Sequence, residues 1–221
     1  MTGLLSAVQL DHRIVRPRYP MLLILLAIGV TVGILSGSRL TGIVLVTLIT
    51  APIGGSYFAV YEASRLDHLY GTLPLRRAAA EAGIYAHTAI LVAVNGLLAS
   101  LAGWVIGVLE HLNVSSAAVA VTFALSFLGA CVYIALIYPV YLAVPFSKVY
   151  ILANVPFYVV AVAIVFVSKR TDWFSHLAPV AQFYHDQPGP ASAVTLAAGV
   201  ALLALSWSVA HATASVVRAR R

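Results

Sequence analysis

The chain has 221 residues, of which 62% are hydrophobic and only 9% are charged, and its formal net charge is +6. Soluble domains contain about 45–50% apolar and about 25% charged residues, so this composition excludes a soluble globular protein and predicts an integral membrane protein. The positive charge does not indicate a nucleic-acid partner, because no run of Lys and Arg is interleaved with aromatic residues. An excess of basic residues on the cytoplasmic side of the membrane explains it more simply.

The first 20 residues are too polar to cross a bilayer. Their apolar members have spacings that share one helical face, namely Leu4, Leu5, Val8 and Leu10. Arg13, Arg16 and Arg18 follow, so we predict an N-terminal amphipathic helix in the cytoplasmic interface, with its apolar face toward lipid. A signal peptide is the alternative, but the apolar run that follows is long, and no small-residue cleavage site precedes a soluble domain.

Six apolar runs follow, and a bilayer span needs roughly 20 such residues to cross about 30 Å of hydrocarbon. The predicted spans are residues 20–37, 41–61, 80–109, 117–144, 149–167 and 191–214. Because no backbone polar group can face lipid unpaired, we expect all six to be helical. The sequence therefore predicts an all-α integral membrane protein with six transmembrane helices in a single domain over residues 1–221.

Basic residues are distributed unequally between the two sides that these spans define. Ten Lys and Arg residues lie on the side that carries both termini and residues 62–77, and three lie on the other side. Because cytoplasmic loops are enriched in Lys and Arg, we expect both termini in the cytoplasm. The protein is predicted to be a multi-pass protein of the cell (plasma) membrane.

The connection before the last span, residues 168–190, alternates apolar residues such as Trp173 and Phe183 with Asp and His. Pro188-Gly189-Pro190 then interrupts any preceding helix. Apolar segments of about 10–14 residues more often re-enter the membrane or lie in its interface than cross it. We therefore expect a re-entrant or interfacial outer helical segment before the sixth span.

Residues 62–77 form a short charged segment between two long apolar spans. Within it, Leu66, Leu69 and Tyr70 recur at the i, i+3 and i+4 spacing of one helical face. A short amphipathic helix on a cytoplasmic loop can dock into a groove of a soluble partner protein. The alternative is a solvated loop at the lipid headgroups that only follows the positive-inside rule.

Gly29, Gly33 and Gly37 recur every four residues along the first span. This small-xxx-small spacing lets helix backbones approach closely, and we predict that it forms an interface between subunits. Packing within the chain is the alternative.

His87 and Asn95 are polar residues within the third span, so they are expected to face the bundle or a cavity rather than lipid. They either line a substrate pathway or hydrogen-bond a neighbouring helix.

Motifs of enzyme chemistry are absent from the sequence. It contains no Gly-x-x-x-x-Gly-Lys-Ser/Thr loop for ATP, no His-Glu-x-x-His and no Gly-x-Ser-x-Gly. No paired acidic residues occupy the centre of a span, as an intramembrane protease or a metal-dependent lipid transferase would need. We therefore expect no catalytic residue, no metal site and no cofactor in this chain.

One region of the sequence carries a family resemblance. Tyr61-Glu62 ends a span, Thr72-Leu73-Pro74-Leu75-Arg76-Arg77 forms a turn after the amphipathic segment, and Tyr85 follows near the start of the next span. This order resembles the cytoplasmic coupling region of ABC exporter permeases of the ABC-2 type. Two positions differ from the family pattern, since Thr72 replaces a serine and Ile84 stands where a basic residue often precedes the tyrosine.

The resemblance implies a permease subunit that is powered by a separate cytoplasmic ABC ATPase, which would bind ATP and Mg. A second permease copy, identical or from a paired gene, would complete the transporter, with the first and fifth spans at the contact between copies. Transport would proceed by alternating access. The residues implied in contact with the ATPase are Glu62, Arg65, Leu66, Asp67, Leu69, Tyr70, Leu73, Pro74, Arg76 and Arg77.

The substrate class follows from the spans, which lack buried charges and therefore favour a hydrophobic or amphipathic cargo such as a drug, an antimicrobial peptide or a lipid. Two other functions stay open. An ATP-independent secondary transporter would show an internal repeat and helices broken at the midplane. A membrane scaffold subunit would show no transport of its own.

Overall fold

A computed structural model of the protein describes residues 2–63, 77–112, 114–151, 154–155 and 178–219. Every regular element in these ranges is helical. The elements are α1 (Thr2–Val15), a 3₁₀ turn (Arg16–Arg18), α2 (Tyr19–Leu35), α3 (Arg39–Ala63), α4 (Arg77–Leu109), α5 (Ser116–Ala143), α6 (Ala178–Asp186) and α7 (Pro188–Ala219). Residues 146–151 add a short helical stretch after α5. The prediction of an all-α protein is therefore confirmed for this part of the chain.

Among the described residues, four helices are long and apolar enough to cross a membrane, and they are α3, α4, α5 and α7. A fifth candidate is the pair formed by residues 5–14 and α2, whose two parts are bent by 77°. The chain is thus a multi-pass membrane protein. The predicted fifth span, residues 149–167, lies mostly outside the described residues, so the count of six spans stays a prediction.

Local sequence explains where two of the helices begin and end. Gly37 has a φ of +69° in the turn after α2, a left-handed conformation that costs a glycine little. Arg39 then begins α3. At the start of α5, the Ser115 side chain accepts a hydrogen bond from the backbone N–H of Ala118 at 3.1 Å, which satisfies a donor that the first helical turn leaves unpaired.

Polar contacts identify which helix ends meet. At one end of the bundle, called here the Glu62 end, Glu62 contacts Ser147, and Glu81 contacts His211. At the opposite end, Arg39 at the start of α3 forms an ion pair with Glu110, directly after α4. Helices α3 and α4 therefore run in opposite directions, as do α4 and α5, whereas α5 and α7 run parallel to each other.

The core lies where α3, α4 and α5 meet, with α7 packed along α5. Its largest fully buried side chains are aromatic, and they include Tyr57, Tyr133 and Tyr138. Buried tyrosines need partners for their hydroxyl groups. The core is consequently also where the buried polar contacts of the bundle concentrate.

The N-terminal helix α1 packs on α4 at the Glu62 end. Ala7 and Asp11 are fully buried there, and a Cβ placed on Gly83 would lie 2.8 Å from the Cβ of Ala7. Leu5 is 64% exposed. The predicted N-terminal helix is confirmed as a helix, and one of its faces packs on protein. Its position in the cytoplasmic interface stays a prediction.

The outer segment before the last span is described only in its second half. Residues 168–177 lie outside the described part, and α6 forms a short helix after them. A tight turn at Gln187 leads directly into α7, whose first residues are Pro188-Gly189-Pro190. Proline is well tolerated in a first helical turn, so these prolines start the last span. Re-entry of this segment into the membrane stays a prediction.

Candidate functional site

The last turn of α3 is attached to the chain that follows α5. The Glu62 carboxylate accepts hydrogen bonds from the backbone N–H of Ser147 at 2.9 Å and from its hydroxyl at 2.5 Å. Ser147 lies in the first turn of the helical residues 146–151, where backbone N–H groups lack helical partners. A carboxylate at that position is electrostatically favourable. The helix end that precedes residues 64–76 is therefore connected to the exit of α5.

An aromatic cluster lies next to this junction. The ring of Phe58 lies 5.1 Å from Tyr138 and 5.2 Å from Tyr141, between ring centroids. Tyr141 in turn lies 4.9 Å from Phe146, beside the serine that Glu62 binds. Tilted and edge-to-face contacts at such distances stabilise aromatic pairs beyond their buried area. The cluster holds the ends of α3 and α5 together as one unit.

Asn154 extends this unit beyond α5. Its side chain is 97% buried, and its Oδ1 accepts a hydrogen bond from the Tyr133 hydroxyl at 2.5 Å. Its amide group donates to the Tyr141 hydroxyl at 2.7 Å and to the Tyr150 carbonyl at 2.6 Å. A fully paired buried amide of this kind restricts the conformation of the groups around it. The segment after α5 is therefore fastened to α5 at two levels.

The start of α4, on the other side of residues 64–76, is attached to α7. The carboxylate of Glu81, which is 5% exposed, lies 2.8 Å from Nδ1 of His211. One turn further along, the Tyr85 hydroxyl lies 3.3 Å from Oγ of Ser206. Ser206 donates to the Ala135 carbonyl of α5 at 2.8 Å. The chain before residues 64–76 is thus bound to the exit of α5, and the chain after them is bound to α7.

The sequence was also compared with known proteins. A family model described as "ABC-2 family transporter protein" matches residues 9–213. The chain belongs to the ABC-2 transporter family. Searches of the curated proteins and of the solved structures gave no match to the chain. Membership of this family makes the chain a transport permease of the membrane, and ABC-2 permeases in general work with an ABC ATPase.

The described residues include the two ends of the predicted coupling segment of this ABC-2 permease. Glu62 lies in the last turn of α3, and Arg77 is the first residue of α4. The other predicted contacts lie outside the described residues, and they are Arg65, Leu66, Asp67, Leu69, Tyr70, Leu73, Pro74 and Arg76. Their helical arrangement and their contact with an ATPase stay predictions.

The glycines of the first span of the permease are engaged within the chain. Gly29 and Gly33 are buried, and Cβ atoms placed on them would lie 3.3 Å and 3.5 Å from backbone atoms of Gly42 in α3. Gly37 lies in the turn after α2 with no atom within 4 Å of an added Cβ. Gly29 and Gly33 therefore pack against α3 within the chain, as the alternative interpretation of their spacing expects. A contact between permease copies stays a prediction.

Asn95 faces the bundle, as predicted for a polar residue in a span. It is 5% exposed, and its amide donates to Oγ1 of Thr50 at 2.9 Å, which joins α4 to α3. Two turns nearer the Glu62 end, the Tyr138 hydroxyl contacts Oγ1 of Thr88 at 3.1 Å and joins α5 to α4. Asn95 therefore makes the hydrogen bond between helices that was the alternative to a pathway role.

His87 is 5% exposed and faces a cavity between α1 and α4. Its Nε2 atom is buried and has no hydrogen-bond partner. The prediction that His87 faces the bundle or a cavity is therefore confirmed, and a role in substrate transport stays a prediction.

Several residues of the site were not singled out from the sequence. Asn154 carried a usable signal, because it is a polar residue inside a predicted span, like Asn95. Ser147, Glu81 and His211 carried none, since single polar residues near span ends are common. Their importance comes from partners that are 85 and 130 positions distant in the sequence.

Proposed function

We propose that this chain is the permease subunit of an ATP-driven exporter and that residues 64–76 transmit the movement of a separate ABC ATPase. The observation that supports this most directly is the attachment of the helix ends that flank the segment. Glu62 binds Ser147 after α5, and Glu81 binds His211 of α7. A displacement of the segment would therefore move α5 and α7 as well as α3 and α4.

The mechanism is rigid-body movement of these packed helices. The aromatic contacts of Phe58 with Tyr138 and Tyr141 make the ends of α3 and α5 move together. Closely packed interfaces have discrete arrangements and do not deform continuously, so a small displacement at one end is converted into a change of the whole bundle. Closure of the ATPase on ATP would favour one arrangement, and release of the hydrolysis products would favour the other.

In this proposal, the ATPase subunit binds ATP and Mg and hydrolyses the ATP, and the permease itself carries no catalytic residue. Two permease copies, identical or paired, sit on two ATPase subunits. The assembly lies in the plasma membrane with both termini and the Glu62 end on the cytoplasmic side. The surplus of basic residues on that side supports the orientation.

The proposed cargo is hydrophobic or amphipathic, such as a drug, an antimicrobial peptide or a lipid. Two buried polar contacts between the spans support this, because their groups are neutral and already paired. Asn95 binds Thr50, and Tyr138 binds Thr88. A small ion would require unpaired charges or a ring of oxygen ligands along its path.

The first test is the isolation of the tagged full-length protein from gently solubilised native membranes. We expect a stoichiometric ATPase to copurify and to hydrolyse ATP. Leu69→Asp together with Tyr70→Asp should abolish this association, because charges would replace the proposed docking anchors. Recovery of the protein alone, with no associated ATPase in any mild detergent, would contradict the proposal and favour a secondary transporter or a scaffold.

A second test separates coupling from docking. Glu62→Gln weakens the charged contact with Ser147 but keeps the docking anchors Leu69 and Tyr70, so most of the ATPase binding should remain while its stimulation by the permease falls. Glu110→Gln is the matched control, because it makes the same substitution in the ion pair at the opposite end. Loss of stimulation in both variants, or in neither, would show that the Glu62–Ser147 junction has no specific role in coupling.

A further inference from the structure

A cavity of about 360 Å³ lies beneath the bend between α1 and α2, against α4. Its polar lining comes mainly from the N-terminal region, with Gln9, His12, Arg13 and Tyr19, and from His87 of α4. Val8, Ile90 and Leu91 complete its wall. The coupling function proposed above makes no use of this site.

Gln9, Arg13 and His87 contribute hydrogen-bond donors to the polar part of the cavity, whereas the His12 Nδ1 atom and the Tyr19 hydroxyl are hydrogen-bonded to each other. Arg13 contributes a permanent positive charge, and no Asp or Glu is among the lining residues that the structure describes. His87 is 95% buried, and its Nε2 atom has no hydrogen-bond partner among the described residues. A buried polar atom without a partner costs free energy unless a ligand or water satisfies it. The Arg13 guanidinium suits a phosphate group, whose oxygens accept charged hydrogen bonds, and the His87 imidazole can add a neutral one.

The position of the cavity along α4 matches the level of lipid headgroups. A helix of 33 residues is about 50 Å long, which exceeds the hydrocarbon thickness by about 20 Å. Divided between the two ends of the helix, this excess places about the first two turns of α4 beyond the hydrocarbon at the Glu62 end. His87 is ten residues from the start of α4, about 15 Å along its axis, so it lies close to the boundary.

An apolar stripe on α4 continues from the wall of the cavity toward the middle of the bilayer. Ile90, Val94, Leu97 and Leu101 are spaced by four, three and four residues and are each at least half exposed. This spacing keeps them on one helical face. The stripe covers about 16 Å along the helix, which is about the hydrocarbon depth of one leaflet.

We propose that this cavity is a binding site for an anionic phospholipid. The phosphate group occupies the space between Arg13, His12 and His87, and one acyl chain lies along the exposed stripe of α4 from Ile90 to Leu101. The lipid fastens the bend between α1 and α2 to α4. This site is independent of the coupling role of residues 64–76.

The test is a titration of the full-length protein, purified in a neutral detergent, followed by native mass spectrometry. The probes are dioleoyl phosphatidylglycerol, dioleoyl phosphatidylcholine with identical chains, and inorganic phosphate. We expect one saturable phosphatidylglycerol per chain and weaker binding of phosphatidylcholine. Inorganic phosphate should not compete at millimolar concentration, because it lacks the acyl chain. Equal binding of the two lipids, or competition by inorganic phosphate, would overturn the proposal of an anionic lipid site.

A matched pair of variants locates the binding. Arg13→Gln and Arg16→Gln each remove one positive charge from the same short segment, but only Arg13 lines the cavity. We expect phosphatidylglycerol to bind Arg13→Gln about tenfold more weakly or worse, since a charged hydrogen bond is lost. Arg16→Gln should differ from the unchanged protein by less than about twofold, because Arg16 lies outside the cavity. Equal losses in both variants would mean that the binding is only a surface charge effect.

His87→Phe distinguishes a ligand site from a structural role. The ring is replaced by one of similar size, and a buried nitrogen without a partner is removed, so the melting temperature without lipid should stay equal or rise. Phosphatidylglycerol should nevertheless bind more weakly to this variant. A lower melting temperature without lipid, or unchanged lipid binding, would contradict the role assigned to His87.

Discussion

Replacing Gly29 with alanine tests how the first span packs. A Cβ atom at this position would lie 2.1 Å from Cγ2 of Val46 and 3.3 Å from the carbonyl oxygen of Gly42. Val46 is fully buried in α3, and a β-branched side chain in a helix has essentially one rotamer, so its methyl group cannot turn away. The two helices must separate instead.

Such overpacking costs about 1–3 kcal/mol. For a chain of 150–250 residues, each kcal/mol lowers the melting temperature by about 2–4 °C. We therefore expect Gly29→Ala to lower the melting temperature of the detergent-solubilised protein by about 2–12 °C. Val46→Ala removes the clashing methyl group, so the double variant should be more stable than the sum of the single changes by about 1–2 kcal/mol.

Gly189→Ala is the control, because an added Cβ there has no atom within 4 Å. Its melting temperature should be unchanged or slightly higher. Light scattering of each variant reports self-association in the same samples. If Gly29→Ala dissociates a dimer while leaving the melting temperature unchanged, or if Val46→Ala brings no recovery, the internal packing inferred from the structure is wrong.

Two further predictions concern contacts between helices. Thr50→Val should destabilise the protein by about 1–3 kcal/mol because it leaves the buried Asn95 amide without its partner, whereas Asn95→Leu should cost only about 0.5–1.5 kcal/mol. Arg39→Gln should lower the free energy of unfolding by about 1–3 kcal/mol, since the buried guanidinium binds both the Gly33 carbonyl and Glu110. Glu110→Gln should lower it by less than about 1 kcal/mol, because the Glu110 side chain is 40% exposed. The melting temperatures of the four variants test both comparisons. If Asn95→Leu proved less stable than Thr50→Val, or Glu110→Gln less stable than Arg39→Gln, the contacts described for that pair would be contradicted.

The helices themselves were predictable because the membrane environment restricts the chain so strongly. Long apolar runs must be helical in lipid, and the boundaries predicted for the third and fourth spans differ from α4 and α5 by three residues or fewer. The first span was less predictable. It is long enough by composition, yet α2 has only 17 residues and is joined to α1 by a bend of 77°. The hydropathy of a sequence does not indicate where a helix bends.

For the polar residues, too, the sequence predicted the environment of the side chain but not its partner. That Asn95 and His87 would avoid lipid followed from the cost of a polar group in hydrocarbon. Which partner each would meet did not follow, because Asn95 and Thr50 are 45 positions apart in the sequence. The glycine repeat is a further example, since the spacing of Gly29 and Gly33 predicts close helix contact but not the identity of the second helix.

The sequence by itself determined that this chain is a helical membrane protein, and the order of elements around residues 62–77 already indicated the ABC-2 family. These properties depend on composition, periodicity and local motifs, which act between residues close together in the chain. Only the tertiary structure decided that Glu62 binds Ser147, that Glu81 binds His211, and that Arg13 and His87 line one cavity. Those pairs depend on how helices pack side by side, because small differences in the crossing and rotation of helices decide which side chains meet.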